Sequence, residues 1–189
     1  MIIITEGGIR EPMFVYWPGS VQAGTSCQVP VISTDFYPTF LEIAGAQKPK
    51  DYILDGSSIL PLLNNTGELK REKLFWHFPA YLQTYNGLKE DSRDPDFRTR
   101  PVSVIRKGDW KLLMFHEEWS LDGGLNKIDV NNSIELFNLK NDIGELTNLA
   151  LERKEKRDEL LKDLLTWQKD THAPIPNKPN PEFGIQPNE

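Results

Sequence analysis

Apolar residues fall first in short dense runs along this chain and only late in a helical rhythm. Met13-Phe14-Val15-Tyr16-Trp17 is unbroken and is closed by Pro18-Gly19. A short apolar run bounded by turn residues reads as an interior strand, with residues 6–12 as the loop before it. Interior strands need neighbours on both sides, so one standing first in a chain is unusual. Ile32-Ser33-Thr34-Asp35 then supplies capping chemistry for a short helix over residues 36–44, which Gly45 closes. Phe36, Phe40 and Ile43 share one face of that helix, suited to packing on a sheet. Residues 54–63 read as a turn followed by a second short helix, and residues 64–73 are polar.

From Leu74 the pattern becomes antiparallel β. Leu74-Phe75-Trp76-His77-Phe78-Pro79 reads as a strand, and residues 80–101 as a long, charged, irregular loop. Val102-Ser103-Val104-Ile105-Arg106 and Trp110-Lys111-Leu112-Leu113-Met114-Phe115 form a hairpin signal across the three-residue turn Lys107-Gly108-Asp109. A further strand is expected over residues 134–139. Leu160, Leu164 and Trp167 recur at helical spacing with Leu161 and Leu165 beside them, which predicts a long amphipathic helix over about residues 149–170. The proline-rich end, from Ala173, should be extended.

Composition narrows the function classes. A net charge of -6 removes the basic footprint a general nucleic-acid binder needs. The single cysteine, Cys27, allows no internal disulfide and has no second ligand at metal spacing. No apolar run reaches the roughly 18 residues of a transmembrane helix, and Met1-Ile2-Ile3-Ile4 is too short for a signal peptide. No membrane partner is expected.

The candidate chemistry is sparse. His77 stands in an aromatic strand just before the long loop, where an imidazole could meet a ligand anion or simply bond to backbone. His116 lacks the second histidine of a metalloprotease helix, and His172 suits the end of the long helix. Asp91, Asp94 and Asp96 miss the spacing of a calcium loop. No nucleophile elbow, phosphate loop or Cys-x-x-Cys pair is present, so no catalytic or metal-ligating residue is assigned.

Taken in order, several segments resemble the formylglycine-dependent sulfatases of the alkaline-phosphatase-like superfamily. Glu6-Gly7-Gly8-Ile9-Arg10-Glu11-Pro12 with Tyr16-Trp17-Pro18-Gly19 resembles the E-G-G-x-R-x-P…W-P-G pattern. Residues 32–39 resemble its capped helix, and Leu54-Asp55-Gly56-Ser57 its L-D-G-x-S turn. Phe75-Trp76-His77-Phe78-Pro79, Arg106-Lys107-Gly108-Asp109-Trp110-Lys111-Leu112 and Glu135-Leu136-Phe137-Asn138-Leu139 resemble its C-terminal strands. Gly144-Glu145, with Asn148-Leu149-Ala150, and the closing Pro176-Asn177 and Pro179-Asn180-Pro181 continue the match.

The resemblance implies an α/β fold, α+β within this chain. Residues 1–73 correspond to the C-terminal edge of the sulfatase α/β domain. Residues 74–189 correspond to a small subdomain in which an antiparallel sheet of about four strands packs against the long helix. It also implies sulfate-ester hydrolysis by a formylglycine made in a C/S-x-P-S-R motif, with Ca²⁺ polarising the sulfate. Cys27 is followed by Gln28-Val29-Pro30, which is not that motif, and the family's metal ligands have no counterpart here. Formylglycine and Ca²⁺ are therefore expected in a full-length enzyme and not in this chain.

The chain reads as the C-terminal portion of a sulfatase, inactive alone, whose partner is the missing N-terminal catalytic portion. The whole enzyme would take a sulfated small molecule or saccharide, with His77 on the substrate side. Full-length family members are usually exported or lysosomal. An exposed apolar flank around residues 13–17 and the Phe36, Phe40, Ile43 face is expected to promote self-association. Two other readings stand. One is a non-catalytic module that binds anionic saccharide or a partner through Arg93, Arg98 and Arg100. The other is a fragment of a phosphatase or phosphonate hydrolase of the same superfamily.

Overall fold

Strands form after residue 100 because Val102-Ser103-Val104-Ile105 and Leu112-Leu113-Met114-Phe115 place β-favouring side chains on both faces of an extended backbone. The computed structural model describes residues 4–83 and 97–178. By contact the chain divides into two compact units, one of Met1–Glu11 with Phe75–Glu189 and one of Pro12–Leu74. Among the described residues no helix is long and apolar enough to cross a membrane.

The first unit is built on strands β1 (Lys73–Phe78), β4 (Val102–Lys107), β5 (Trp110–Phe115) and β6 (Ile134–Asn138), in the spatial order β1-β4-β5-β6. The β4–β5 and β5–β6 pairs are antiparallel. Lys107 pairs with Trp110, so the hairpin turn has two residues and not the expected three. Gly108 adopts φ 59°, the left-handed conformation that so tight a connection requires. β2 (Leu82–Gln83) pairs with β3 (Phe97–Thr99), so the ends of the segment read as irregular loop form a short ladder. Residues 84–96, with Arg93, Asp91, Asp94 and Asp96, lie outside the described residues.

Both faces of the sheet are covered. On one face Ile105, Leu112, Met114 and Leu136 pack with Leu160, Leu161 and Leu164 of helix α5 (Lys154–Asp170). Burying each of those leucines contributes about 1.5–3 kcal/mol. Phe75 of β1 stacks on Trp167 of α5, with ring centroids 4.8 Å apart and nearly parallel planes. On the other face Val102, Val104, Leu113, Phe115 and Phe137 gather around Ile4. The long helix starts at Lys154, not near Leu149 as expected from its apolar spacing. Leu149 N–H donates to the Leu136 carbonyl, and Asn148 Oδ1 accepts from the N–H groups of Leu136 and Ala150. The residues before the helix are thus held at the edge of β6. Residues 6–9, read as loop, form a single helical turn α1 (Glu6–Ile9).

The second unit is organised by Asp35. A 3₁₀ turn (Ser33–Asp35) leads into α2 (Phe36–Ile43), and α3 (Leu60–Leu63) follows. The fully buried Asp35 carboxylate accepts from the N–H groups of Ile32 and Ser57, each at 2.9 Å, and pairs with Arg71. Burial disfavours its charge, but the Arg71 guanidinium and the two N–H donors outweigh burial and hold the carboxyl below its ordinary range. Thr39 Oγ1 donates to the Asp35 carbonyl and accepts from Ile59 N–H. A β-carbon at Gly56 would lie 2.0 Å from the Thr34 carbonyl oxygen, so the turn tolerates only glycine there.

The apolar run over residues 13–17 does not form the expected strand; no strand lies between Pro12 and Glu72 to pair with it. Phe14 and Tyr16 are 91% and 93% exposed. Phe36, Phe40 and Ile43 are exposed as well, and the residue that α2 turns inward is Thr39. These side chains make the exposed apolar flank anticipated from the sequence.

Candidate functional site

At one end of the α5 face of the sheet four polar side chains meet. His77 is near the end of β1, on the same face as Phe75. Ser103 is the second residue of β4, and its register partner is Met114. His116 follows β5 directly as the first residue of α4 (His116–Leu121), its N–H bonded to the Pro101 carbonyl. Gln168 sits in the last turns of α5. Pleat and helix together bring all four to one place.

The hydroxyl of Ser103 is the centre. Its Oγ lies 2.7 Å from His77 Nδ1, 2.8 Å from His116 Nε2 and 2.8 Å from the Gln168 amide nitrogen, which donates to it. His77 Nε2 lies 2.9 Å from the Pro174 carbonyl oxygen. The two imidazoles meet edge to face, 5.5 Å between centroids, and Trp167 flanks His77 at 6.2 Å. Ser103 and His116 are fully buried. His116 Nδ1 has no hydrogen-bond partner among the described residues. Burial first, and then the nearby charge of His77, push the His116 imidazole down to about 4, so it is neutral across the physiological range.

This arrangement links fixed hydrogen-bond partners and presents no accessible hydroxyl, because the Ser103 side chain has no exposed surface. His77, the substrate-side candidate from sequence, has both ring nitrogens engaged within the chain. Contact with a substrate through Nε2 requires the Pro174 carbonyl to move away.

A second buried polar cluster lies on the opposite face. Lys111 has no exposed surface; its Nζ donates to Glu6 Oε1 at 3.0 Å and lies 2.8 Å from Glu145 Oε1. Glu6 N–H donates to Glu145 Oε2, and Arg10 and Arg106 each approach Glu6 Oε2 at 3.6 Å. Glu145 adopts φ 54°, a left-handed conformation that costs a side-chain-bearing residue about 1–2 kcal/mol. The cluster ties α1 to the sheet and explains why residues 1–11 belong to the first unit.

Arg100, one of the three arginines considered for anion binding, is buried. It pairs with Glu118 at 2.7 Å and Glu117 at 3.6 Å and lies over the Phe115 ring. Arg93 and the Arg98 side chain lie outside the described residues. No group of three or more His, Cys, Asp or Glu side chains that could hold a metal occurs among the described residues. Cys27 is exposed and outside a formylglycine motif. Among the described residues the side chains do not gather into a Ca²⁺ site, and Cys27 does not stand in a formylglycine motif.

Reading the sequence missed Ser103, His116, Gln168, Lys111 and Glu145 as partners. The available signal was a polar residue at a position that strand alternation assigns to a buried face: Ser103 two places before Ile105, and Lys111 two places before Leu113. Their partners come from distant segments and carry no comparable signal.

Comparison with known proteins agrees with the fold. The family described as N-sulphoglucosamine sulphohydrolase, C-terminal, matches residues 2–170. A protein named sulfatase from Formosa agariphila is 36% identical over 157 residues, covering 78% of this chain and 24% of that protein. Arylsulfatase A of Bos taurus is 34% identical over 152 residues, covering 76% of this chain and 27% of the enzyme. One solved structure, of a protein in complex with its substrate D-glucosamine-2-N,6-O-disulfate, superposes with a TM-score of 0.50 at 28% identity, covering 77% of this chain and 25% of that one. The chain spans about a quarter of the length of the curated relatives it matches.

Proposed function

The chain belongs to the N-sulphoglucosamine sulphohydrolase C-terminal family of sulfatase domains, and on that premise we propose that it is the C-terminal portion of an enzyme that hydrolyses sulfate esters. The family match over residues 2–170 carries this reading. In the whole enzyme the formylglycine nucleophile and the Ca²⁺ ligands come from polypeptide outside this chain. By itself the chain turns over no sulfate ester, since the described residues include neither a metal cluster nor an accessible activated nucleophile. Its partner is the remaining sulfatase polypeptide, and exposed side chains such as Phe14, Tyr16 and Phe40 suit burial against further chain. The substrate is a sulfated small molecule or saccharide. His77 serves on the substrate side, its Nε2–H meeting a sulfate oxygen once the Pro174 carbonyl is displaced.

The test is a chimera. This chain replaces the segment it matches in the Formosa agariphila sulfatase, and hydrolysis of an aryl sulfate is measured. A folded chimera that turns over substrate is expected. His77→Ala in that background should raise KM more than it lowers kcat. A soluble, folded chimera without turnover removes the reading.

A further inference from the structure

The hydrogen bonds around Ser103 have one consistent order. The Pro174 carbonyl can only accept, so His77 Nε2 carries a proton and donates to it. In the neutral ring Nδ1 is then bare, and the Ser103 hydroxyl proton must point to it. The Gln168 amide nitrogen can only donate, which fills one lone pair on Ser103 Oγ. The second lone pair remains for His116, whose Nε2 therefore carries its proton. His116 Nδ1 is left bare, and it is the ring nitrogen without a partner among the described residues. Every donor runs one way, from His116 through Ser103 and His77 to Pro174.

A proton added to His77 breaks this order. Both ring nitrogens of the imidazolium are donors, so Ser103 Oγ must accept from His77 as well as from Gln168. Its hydroxyl proton can then go only to His116 Nε2, which must be bare, leaving the His116 proton on Nδ1. We infer that His77, Ser103 and His116 form one protonation switch, in which a proton taken up at His77 reverses the Ser103 hydroxyl and moves the His116 proton from Nε2 to Nδ1. No proton is lost in the exchange: His77 gains one, and Ser103 and His116 keep one each. The bond to Pro174 is donated in both states and becomes charge-assisted in the acid one, which is the stronger form. The segment carrying Pro174 is thus clasped more firmly on the acid side.

The charged and titratable surroundings are defined. From β5 and α4 come His116 and, after it, Glu117 and Glu118, which pair with Arg100. From α5 come neutral Trp167 and Gln168 against the rings, with Lys169 and Asp170 exposed beyond them. From the last described segment comes the Pro174 carbonyl, with exposed His172 two residues before it. His116 itself stays neutral down to about 4.

Histidine ¹⁵N NMR on the whole chain, from about pH 8 to about pH 5, spans ordinary histidine titration. At the alkaline end His77 and His116 should both be Nε2–H tautomers, and as His77 protonates the bare nitrogen of His116 should change from Nδ1 to Nε2. Exchange of the Ile175 amide, corrected for its intrinsic pH dependence, should slow severalfold over the same range, as strengthening one hydrogen bond implies. His77→Gln keeps a donor to Pro174 and an acceptor for Ser103 but cannot titrate; in it His116 should hold its Nε2–H tautomer throughout. Ser103→Ala should let His77 titrate with no response at His116. An Nδ1–H tautomer of His116 at pH 8, titration of His77 without a response at His116, or a tautomer change that persists in His77→Gln overturns the inference.

Discussion

Burial of a neutral histidine leaves a pH signature in stability, and His116 provides the test. Its imidazole is pushed down from the ordinary 6.5 to about 4, chiefly by burial and secondarily by His77. In the unfolded chain the ring takes up a proton as pH falls through 6.5, whereas the native ring does not until near 4. The unfolded state therefore binds more protons in that window. The contribution is complete above about pH 6.5 and is lost as pH falls toward 4. A shift of this size corresponds to about 3 kcal/mol, of which about 2.5 kcal/mol is lost by pH 4.5. That is a large part of the 5–15 kcal/mol stability of a typical domain, roughly speaking. Urea unfolding of the native chain and of His116→Gln, at neutral pH and at pH 4.5, isolates the effect from carboxylates that titrate in both proteins. The variant should be less stable at neutral pH, and the gap should close or reverse at pH 4.5. Equal losses in the two proteins would refute the reasoning.

Other expectations follow from the same geometry. Gly56→Ala forces a β-carbon onto the Thr34 backbone and should destabilise the Pro12–Leu74 unit by about 2 kcal/mol or more; an unchanged urea midpoint counts against the close approach. Lys111→Met leaves Glu6 and Glu145 buried without their central cation and should cost about 3–5 kcal/mol, read by urea unfolding. A loss below about 1 kcal/mol would mean the cluster is dispensable. The exposed residues around Phe14, Tyr16 and Phe40 should cause concentration-dependent association in light scattering, relieved by Phe14→Ser with Tyr16→Ser. A monomer at high concentration contradicts that expectation.

Much of the fold was legible because its signals are local. The 102–115 hairpin carries β-branched and long apolar residues around a glycine turn, and α5 repeats leucine at helical spacing, so one long helix on an antiparallel sheet could be read directly. The run at residues 13–17 misled for a physical reason: an apolar run reports a need for burial, and nothing within its own unit covers it. The start of α5 was misplaced because Asn148 and Leu149 bond across to β6, a tertiary contact that helical periodicity cannot contain. Gly56 was legible as a turn, yet its reason, the Thr34 carbonyl 22 residues earlier in sequence, appears only in three dimensions. The site was least legible. His77 could be singled out, whereas the Ser103, His116 and Gln168 side chains that fix its hydrogen bonds converge from β4, α4 and α5.

We propose that this chain is the C-terminal part of a sulfatase and is inactive by itself. Sulfate release from an aryl sulfate should be measured with the purified chain in the presence of Ca²⁺, against a heat-inactivated control. Identical rates are expected in the two samples; turnover by the native chain above the control, abolished by heat, would contradict the proposal.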